Sequence, residues 1–323
     1  MTHRLIEDLF VACFDNDPLR KLSDSSLLGP CNGQALFTTD SYVVDPIFFP
    51  GGDIGKLSVC GTVNDLAVAG ARPAFLSAGF IIEEGLPMKD LQRIVESMAR
   101  EARKAGVQIV TGDTKVVNKG KADKIFINTS GVGFLHPHFA ASVNGGGIRE
   151  GDKVIVNGNL GDHGIAVLAA REALEISSQL RSDCASLNSL IDTLLNRVEG
   201  VRMMRDLTRG GLATVMCELA AQGPSGIELE ENDIPTDDQV RGLCEMLGLD
   251  PLYLANEGKF VAIVDARSTE HVMDVMRGDP LGKNAQIIGE VVKDHPGRVV
   301  MKTQIGGRRI IDMLTGEQLP RIC

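Results

Sequence analysis

Hydrophobic and polar residues repeat along the chain with two different periods, and the changes of period predict its helices and strands. Apolar residues spaced three and four apart follow Asp53 and again Pro87, which predicts two helices that end near Gly70 and at Gly106. A further helix is predicted over residues 4–14, before a turn-rich stretch. Runs of β-branched and aromatic residues predict strands over 34–44, 73–82, 107–110 and 124–134. The resulting β-α-β-α-β-β order predicts a sheet with helices on one face.

A second set of elements begins after a glycine-rich run near 144–151, where the periodicity stops. Helices are predicted near 164–176, 186–197, 209–222, 236–247 and 268–277. Strands are predicted near 153–157, 226–230, 259–265, 284–291 and 298–302. The chain is thus predicted to contain an N-terminal helix and linker (1–33), an α+β domain (34–148), a second α+β domain (149–303) and a flexible C-terminal tail (304–323). This organisation is typical of a two-domain enzyme with a cleft between its domains.

The composition excludes several classes of protein. A length of 323 residues favours two domains, and 43% hydrophobic residues with 36 glycines are too apolar for a disordered chain. A net charge of −10, the absence of Trp and an aromatic content of 4% argue against nucleic-acid binding. The most apolar region, 59–82, carries Asp65, Arg72 and Pro73, so it predicts a buried segment and no membrane span. Because no apolar signal-peptide core follows Met1, we expect a cytoplasmic protein.

Seven cysteines without a C-x-x-C pair indicate neither a disulfide framework nor a zinc knuckle. Six of them are expected to be small buried residues in a reducing compartment. The seventh, Cys323, is the last residue, and Gly316 and Pro320 before it predict a mobile tail. A thiol on such an arm could carry an acyl group into an active site, but a frayed terminus without function is the simpler interpretation of the residues alone.

Three carboxylates of the first domain stand in Gly, Thr and Asn settings. Asp40 and Asp65 interrupt predicted core elements, and Asp113 is expected at a glycine turn after the strand 107–110, where α/β proteins collect catalytic groups. Lys115 would supply a positive charge for a phosphate. Each carboxylate alone is explained by a cap or a turn. Together they indicate a site for Mg²⁺ and a nucleotide, because Mg²⁺ takes carboxylates, water and phosphate oxygens as ligands.

Two glycine-rich loops of the second domain, 157–164 and 206–212, are expected to bind an anion at a helix N-terminus. Neither is a P-loop or a G-x-G-x-x-G motif, and ordinary helix capping would also explain them. His163, in the first loop, is a candidate general base or a structural hydrogen-bonding group. Glu257, at the edge of a predicted strand, is a candidate base or a solvated turn residue.

Seven strings of the sequence together resemble one family, the HypE hydrogenase maturation proteins, which are carbamoyl dehydratases of the aminoimidazole ribonucleotide synthetase superfamily. They are Phe48–Gly52, Gly61–Ala67, Thr111–Val117, Gly161–Gly164, Thr208–Gly211, Asn256–Lys259 and Pro320–Cys323. The middle strings are shared in part across the superfamily, whereas the terminal Pro-Arg-Ile-Cys is specific to the family and favours a carrier role for Cys323. The resemblance implies a two-domain, PurM-like α+β architecture, in which each domain is a mixed sheet with helices on one face.

The resemblance also implies a reaction. A carbamoyltransferase similar to HypF would load a carbamoyl group onto Cys323, ATP would phosphorylate its oxygen, and a base would remove the N–H protons. The thiocarboxamide would become a thiocyanate, and the cyanide would pass to an iron centre held by partners that resemble the HypC–HypD complex, for [NiFe] hydrogenases. Such an enzyme is a lyase.

Family matching assigns a role to each candidate residue. It assigns Mg²⁺ to Asp40, Asp65 and Asp113. It assigns ATP to the same carboxylates and to Asn64, Lys115, Thr208, Arg209 and Gly210. It assigns catalysis to Cys323 and Glu257, with help from His163. Because the first domains pair in the superfamily, a homodimer is expected in which a nucleotide site borrows residues from the second chain.

One departure and several alternatives accompany this prediction. Family members carry a His-Gly-x-Gly-Gly-like segment before the first helix, whereas Met1 is followed at once by Thr2, His3 and Arg4, so weak ATP binding or slow turnover is expected. Selenophosphate synthetase and thiamine-phosphate kinase would use a similar nucleotide site, but neither explains a terminal thiol. A non-catalytic thiol carrier would consume no ATP. A small-molecule kinase would be unaffected by Cys323→Ala.

Overall fold

Two β-sheets organise the chain in a computed structural model, which describes residues 5–20, 25–26, 28, 33–137, 139, 147–172, 180–314, 319 and 321–323. The first unit comprises helical turns at Ile6–Val11, Ala12–Phe14 and Asp17–Arg20, then β1 (Ala35–Tyr42), β2 (Phe48–Phe49), β3 (Gly52–Asp53), α1 (Ile54–Val68), β4 (Ala71–Glu83), α2 (Met88–Ala105), β5 (Gln108–Val117) and β6 (Ile125–Leu135). The second comprises β7 (Lys153–Val156), α3 (Asp162–Arg171), α4 (Asn188–Arg197), β8 (Val201–Asp206), α5 (Gly211–Ala221), β9 (Gly226–Glu230), α6 (Asp238–Leu247), β10 (Phe260–Val264), α7 (Thr269–Arg277), β11 (Gln286–Val292), β12 (Val299–Lys302) and β13 (Arg308–Ile311).

The first sheet has four strands in the order β1-β6-β4-β5, with β4 and β5 parallel and the other pairs antiparallel. Helix α1 begins where it does because the Asp53 carboxylate accepts hydrogen bonds from the amides of Gly55 and Lys56. Helix α2 ends at Gly106, whose φ of 72° suits glycine. Both helices were predicted with these ends.

The opposite face of this sheet is open in the described chain. Paired residues of neighbouring strands share a face, so Phe37, Val132 and Phe75 lie side by side, and Ile81 follows on β4. Phe37 and Ile81 are 70% and 43% exposed. The first unit therefore has helices on one face, as predicted, and an accessible apolar surface on the other.

The second sheet has seven strands in the order β13-β12-β9-β11-β7-β10-β8 and is antiparallel except between β12 and β9. Helices cover both of its faces. On β10, Val261 and Ile263 pack in one core with α5, whereas Phe260 and Ala262 pack in another with α4 and α7. The prediction of helices on one face is therefore wrong for this unit, because a central strand buried on both sides needs a helical layer on each side.

The two units share a continuous core instead of facing each other across an open cleft. Ile54 and Leu57 of α1 belong to the same buried cluster as Val167, Cys184 and Ile322. Helix α1 also contacts α4 and β8. The cavities described below lie along this packed junction.

Several sequence predictions need correction. Strand β5 continues to Val117, and the β2–β3 hairpin, β8 and β13 were not predicted. Strand β13 pairs with β12, so residues 308–311 belong to the second sheet and not to a flexible tail. The strand was not predicted because charged residues interrupt its apolar pattern. One of them, Arg308, lies 3.6 Å from the carboxylate of Glu228 on β9. Residues 144–146 of the predicted boundary lie outside the described residues, as do Gly316 and Pro320 of the tail.

Two further predictions concern cysteines and membranes. Among the described cysteines, Cys60, Cys184 and Cys244 are buried, and Cys13 and Cys217 are half-buried. Cys31 lies outside the described residues. No helix in the described part of the chain has the length and apolar content needed to cross a bilayer. The cytoplasmic location stays a prediction.

Candidate active site at the junction of the two units

The chain terminus lies in a cavity of about 490 Å³ where the first unit, the second unit and the tail meet. Ser41 and Val43 line it from the first unit, Arg209 and Gly210 line it from the start of α5, and Cys323 lines it from the tail. The half-buried cysteine therefore lies beside both units.

The tail runs antiparallel to the segment that follows β1. The amide of Val43 donates to the carbonyl oxygen of Cys323 (3.2 Å), and the amide of Asp45 donates to that of Arg321 (3.2 Å). Ile322, between them, is only 4% exposed and packs into the core of the first unit. The tail was predicted to be mobile, and the structure describes it in a docked position.

His163 contacts the tail directly. Its Nε2 lies 2.9 Å from the carbonyl oxygen of Ile322, and its Nδ1 lies 2.8 Å from Oγ of Ser182. Because a carbonyl oxygen only accepts hydrogen bonds, Nε2 carries the proton and Nδ1 accepts from the Ser182 hydroxyl. Burial lowers the pKa of His163, which favours the neutral ring.

Glu257 is a buried carboxyl group without a hydrogen-bond partner on Oε1. It is 2% exposed, and burial, together with the charges of Asp183, Asp206, Cys60 and Asp40, raises the pKa of Glu257 well above its usual range. It is not the solvated turn residue that the sequence left open. A carboxyl group in this environment binds a proton readily, which is a property of catalytic acids and bases.

The loop that carries Glu257 is held from several sides. The Asp183 carboxylate accepts from the amides of Glu257 (3.2 Å) and Gly258 (3.1 Å) and from Nζ of Lys259 (3.1 Å). Asn256 accepts from the amide of Gly161 (2.8 Å), which ties this loop to the start of α3. These bonds hold the Glu257 backbone in place.

Asn64, predicted to bind the nucleotide, links the two units in this structure. Its Nδ2 donates to the carbonyl oxygens of Ala185 (3.0 Å) and Glu257 (3.3 Å), and its Oδ1 accepts from the amide of Leu187 (2.8 Å). Both ends of this buried amide are used within the protein. A polar side chain on a buried helix needs internal partners, and these bonds supply them. The contact of Asn64 with a nucleotide stays a prediction.

Asp40, Asp65 and Asp206 come together from β1, α1 and the end of β8. Burial and the charges of Asp206 and Asp40 raise the pKa of Asp65 to about 7, although Thr38 donates to it at 2.8 Å. Burial, with a contribution from Asp40, raises the pKa of Asp206 to about 6. Burial also raises the pKa of Asp40, and Arg209 opposes this shift. The cluster thus concentrates negative charge at the junction.

A second cavity, of about 700 Å³, adjoins this cluster. Asp65 and Asp206 line it, together with Phe37, Thr38 and Arg205. It reaches from the carboxylates to the open side of the first sheet. Its lining is largely apolar, with two carboxylates and one guanidinium at the junction, and such a mixture suits a ligand with an apolar part and a polar part.

The carboxylates fit a magnesium ion only in part. In the described part of the chain, no three His, Cys, Asp or Glu side chains are grouped as ligands of one ion. Asp40 and Asp65, whose pKa values are both raised chiefly by burial, do fit a cation that takes its other ligands from phosphate and water. Such an ion would offset the charge that now favours protonation.

Asp113 and Lys115 lie away from this cluster within one chain. Asp113 is inside β5 and not at a turn after a strand, and it pairs with Gly79, whereas Asp40 shares its face with Thr129 and Ala78. The two aspartates therefore lie on opposite faces and at opposite edges of the sheet. Lys115 and Asp113 form an exposed ion pair of 3.2 Å on the open face. The expected three-carboxylate site is not formed by one chain.

The predicted anion loop before α5 is positioned as expected. Gly210 is the N-cap residue, with φ 72°, and the amide of Gly211 donates to the carbonyl oxygen of Thr208 (3.0 Å). Arg209 and Gly210 line the cavity that holds the tail. The N-terminal end of a helix, with an arginine beside it, favours an anion at this point.

Asp183 and Arg171 were not predicted as site residues, and Asp206 was predicted only as the first residue of the 206–212 loop, with helix capping as the alternative. Asp206 ends a strand beside the other carboxylates, and the strand-end criterion applied to Asp113 would have singled it out. Asp183 and Arg171 carry no local signal, because their partners are distant in the sequence.

Comparison with known proteins extends this description. Residues 23–135 match the family model of the AIR synthase related protein N-terminal domain, and residues 149–302 match that of the C-terminal domain. The carbamoyl dehydratase HypE of Cupriavidus necator is 52% identical over 321 residues, which cover 99% of this chain and 91% of that protein.

Solved structures agree with this similarity. The crystal structure of hydrogenase maturation protein HypE in complex with ATP has a TM-score of 0.95 and 48% identity, with coverage of 100% of this chain and 96% of that one. A chain of the crystal structure of the HypE–HypF complex has a TM-score of 0.83 and 47% identity, with coverage of 96% and 99%. The PurM-like, two-domain α+β architecture predicted from the seven strings is confirmed. Since both domain models match in order and about half of the residues are identical over almost the whole length, the chain belongs to the HypE family of carbamoyl dehydratases.

Proposed function

We propose that this protein is an ATP-dependent carbamoyl dehydratase whose substrate is a carbamoyl group on its own Cys323. The observation that carries the proposal is the docked tail, which places the terminal cysteine in a cavity beside a helix N-terminus and Arg209. The Cupriavidus necator relative is named carbamoyl dehydratase HypE, and a hydrogenase maturation protein HypE that resembles this chain was crystallised with ATP.

The proposed chemistry removes the elements of water from a thiocarboxamide. The carbonyl oxygen of Cys323–S–C(=O)–NH₂ bonds to the γ-phosphorus of ATP, and ADP leaves. One N–H proton is lost as the C=N bond forms, and the second is lost as the C–O bond breaks and inorganic phosphate departs. The product is Cys323–S–C≡N. Phosphorylation is needed because an unactivated carbonyl oxygen is a poor leaving group.

Glu257 is the proposed acceptor of the N–H protons. Its buried Oε1 has no partner, and its raised pKa makes its ionised form a stronger base than an exposed glutamate. A base with a raised pKa acts only after it has lost its own proton. The dehydration rate is therefore expected to rise with pH through a pKa above the ordinary glutamate range.

The phosphates are proposed to bind along the junction. Arg209 and the amides that precede α5 would contact the transferred group, because they line the tail cavity. Asp40 and Asp65 would hold Mg²⁺, which supplies charge neutralisation for the nucleotide phosphates when it is bound. Thr208 lies in the same loop as Arg209, and its carbonyl oxygen accepts from the Gly211 amide. Thr208 would therefore position this loop for the phosphates.

A homodimer is proposed to complete the nucleotide site. The open face of the first sheet carries exposed Phe37 and Ile81 together with Asp113 and Lys115. Pairing of two such faces would bury the apolar side chains and bring Asp113 and Lys115 to the site of the other chain. This arrangement explains why two residues expected at the nucleotide lie far from Asp40 in one chain.

The partners are proposed from the chemistry and from one relative. A chain of the HypE–HypF complex resembles this protein, and HypF is the proposed carbamoyl donor to Cys323. A complex of the HypC–HypD type is the proposed acceptor of the cyanide, for [NiFe]-hydrogenase maturation. Either exchange requires that the docked tail leave its cavity.

The test measures the intact mass of the chain after incubation with HypF, carbamoyl phosphate and ATP. We expect the wild-type chain to gain one carbamoyl group and then to lose one water when Mg-ATP is present. Glu257→Gln, which preserves shape and removes the base, is expected to load the group and to retain it. Cys323→Ala is expected to show neither change.

The other outcomes identify the alternatives. Loading without loss of water in the wild type would indicate a non-catalytic thiol carrier. Phosphate transfer that Cys323→Ala leaves unchanged would indicate a small-molecule kinase. Either result would overturn the proposal.

A further inference from the structure

We propose that His163 and Arg171, both on α3, form a tail clamp that binds the main-chain carbonyls of the two residues before Cys323 and so positions this cysteine. In this role His163 is a positioning residue and not a proton acceptor. The inference deepens the proposed function and rests on it for its catalytic consequence. The docking itself is independent of the reaction.

Both ring nitrogens of His163 are hydrogen-bonded while the tail is docked. Nε2 donates to the Ile322 carbonyl at 2.9 Å, and Nδ1 accepts from Ser182 at 2.8 Å. Ser182 is held in turn, because its amide donates to the Pro50 carbonyl (2.8 Å) and its Oγ accepts from the Cys184 amide (3.1 Å). Both ring nitrogens are therefore engaged while the tail is docked, and no lone pair remains to take a proton from a group on Cys323.

The ring of His163 is also fixed by packing. It is fully buried and lies edge-on to Phe49, with 5.4 Å between ring centres. A buried ring with one defined tautomer presents its N–H in one direction. That direction is the carbonyl of Ile322, the residue next to the carrier cysteine.

Arg171 forms the second half of the clamp, at the last residue of α3. Its Nη2 donates to the carbonyl oxygen of Arg321 (2.6 Å), and its Nε donates to that of Asp45 (2.8 Å). The amide of Asp45 donates to the same Arg321 carbonyl (3.2 Å). One guanidinium thus joins the tail to the wall that the tail lies against.

The clamp binds the backbone, and a separate contact recognises a side chain. Because every residue has a main-chain carbonyl oxygen, the contacts of His163 and Arg171 do not select the side chains of the tail. They determine how deep the tail lies and in which direction it runs. The Arg321 side chain lies 2.7 Å from Asp123 of the first unit, in an exposed ion pair. Exposed pairs contribute little to stability. The docked state therefore depends on a few hydrogen bonds and on Ile322, which lets the carrier leave for a partner.

The first experiment measures hydrogen exchange at the amides of Val43 and Asp45, which donate to the docked tail. A chain lacking residues 319–323 defines the undocked rate. His163→Leu and Arg171→Leu are each expected to raise exchange at both amides roughly fivefold, since each removes a hydrogen bond of ordinary strength. His163→Gln places an amide N–H near the position of Nε2 and is expected to stay within about twofold of the wild type.

The second experiment measures single-turnover dehydration of chains carbamoylated at Cys323. We expect His163→Gln to retain most of the wild-type rate, and His163→Leu and Arg171→Leu to lose rate in proportion to docking, with ATP affinity unchanged. If His163 were the base, His163→Gln would be as slow as His163→Leu while amide exchange stayed at the wild-type rate. That result would overturn the proposal.

The two experiments separate the clamp from the proposed reaction. Unchanged exchange at Val43 and Asp45 in both leucine variants would refute the clamp, whatever the catalytic result. Accelerated exchange together with no dehydration in the wild type would support the clamp and refute the proposed function. Arg171→Leu keeps the test decisive if the buried His163 variants fail to fold.

Discussion

At the scale of single residues, the junction is defined by acidic groups that are kept from water and close to one another. Asp65, Asp206 and Glu257 all have a raised pKa because burial and neighbouring carboxylates disfavour the charged form. Such an arrangement weakens the fold at high pH in the absence of a cation. Proteins retain such clusters of buried carboxylates at sites that bind a cation or transfer a proton.

We predict that Asp65→Asn changes the pH dependence of stability. The pKa of Asp65 in the folded chain is about 7, above its value in an unfolded chain, so its contribution is complete at acid pH and is lost as pH rises toward 7. Relative to the wild type, the free energy of unfolding of the variant should therefore increase steadily between about pH 4 and pH 8. Urea denaturation at several pH values measures it.

The control for this prediction is Asp113→Asn, which removes an exposed carboxylate of the same domain. A pH dependence shared by both variants would show that net charge, and not the buried cluster, causes the effect. Addition of Mg-ATP should reduce the difference between Asp65→Asn and the wild type at high pH, since bound cation stabilises the ionised carboxylate.

At the scale of elements, two consecutive glycines let α5 begin beside the cavity that holds the tail. Gly210 and Gly211 have φ angles of 72° and 57°. A Cβ on Gly211 would lie 2.5 Å from the carbonyl oxygens of Leu252 and Leu254, which belong to the turn that packs on this helix. Only glycine allows the helix start to approach this turn, and the neighbouring Gly210 lines the tail cavity.

We predict that Gly211→Ala destabilises the protein far more than the matched change Gly106→Ala. Both positions have positive φ, but a Cβ on Gly106 would meet nothing within 4 Å. Gly106→Ala should lower the free energy of unfolding by about 1 kcal/mol from backbone strain alone. Gly211→Ala should lower it by about 3 kcal/mol and displace Arg209 from the cavity.

Equal losses in the two variants would contradict this interpretation of the helix start. The measurement is urea denaturation, with ATP binding as a second readout. Gly106→Ala should leave ATP affinity at the wild-type value, because α2 ends away from the tail cavity and no residue of α2 lines it.

At the scale of the whole molecule, the two faces of the first sheet have different surroundings. One face packs on α1 and holds Asp40 toward the junction, and the other exposes Phe37, Ile81, Asp113 and Lys115. A single chain cannot unite these groups, because side chains of a strand alternate between faces. The proposed dimer unites them across two chains.

We predict that two inactive variants restore activity when they form mixed dimers. Asp65→Asn and Asp113→Asn should each abolish dehydration alone. Co-refolded in equal amounts, they should regain about a quarter of the wild-type rate, since half of the dimers are mixed and each of these has one intact site. Dehydration of carbamoylated chains, followed by mass, measures it.

The control is each variant refolded alone under the same conditions, and it should stay inactive. Recovery that is absent although mixed dimers are present would place Asp113 outside the nucleotide site. A chain that sediments as a monomer at the assay concentration would refute the dimer itself.

The sequence alone determined the elements with strong local signals, and it indicated Cys323 as the proposed carrier. Asp53 and Gly106 define helix ends through contacts within a few residues, and the terminal Pro-Arg-Ile-Cys needs no partner to be recognised. Strands β8 and β13 escaped prediction, because charged residues mask their period and their pairing partners are remote.

The tertiary structure alone decided which of the candidate residues meet. The hydrogen bond between His163 and Ile322 joins residues 159 positions apart, and strand register alone sends Asp113 to the face opposite Asp40. Asn64 was placed correctly on a helix but serves the contact between units, which no local pattern encodes. Local propensity acts over a few residues, whereas a site depends on packing, register and burial across the whole chain, and these exist only once the chain has folded.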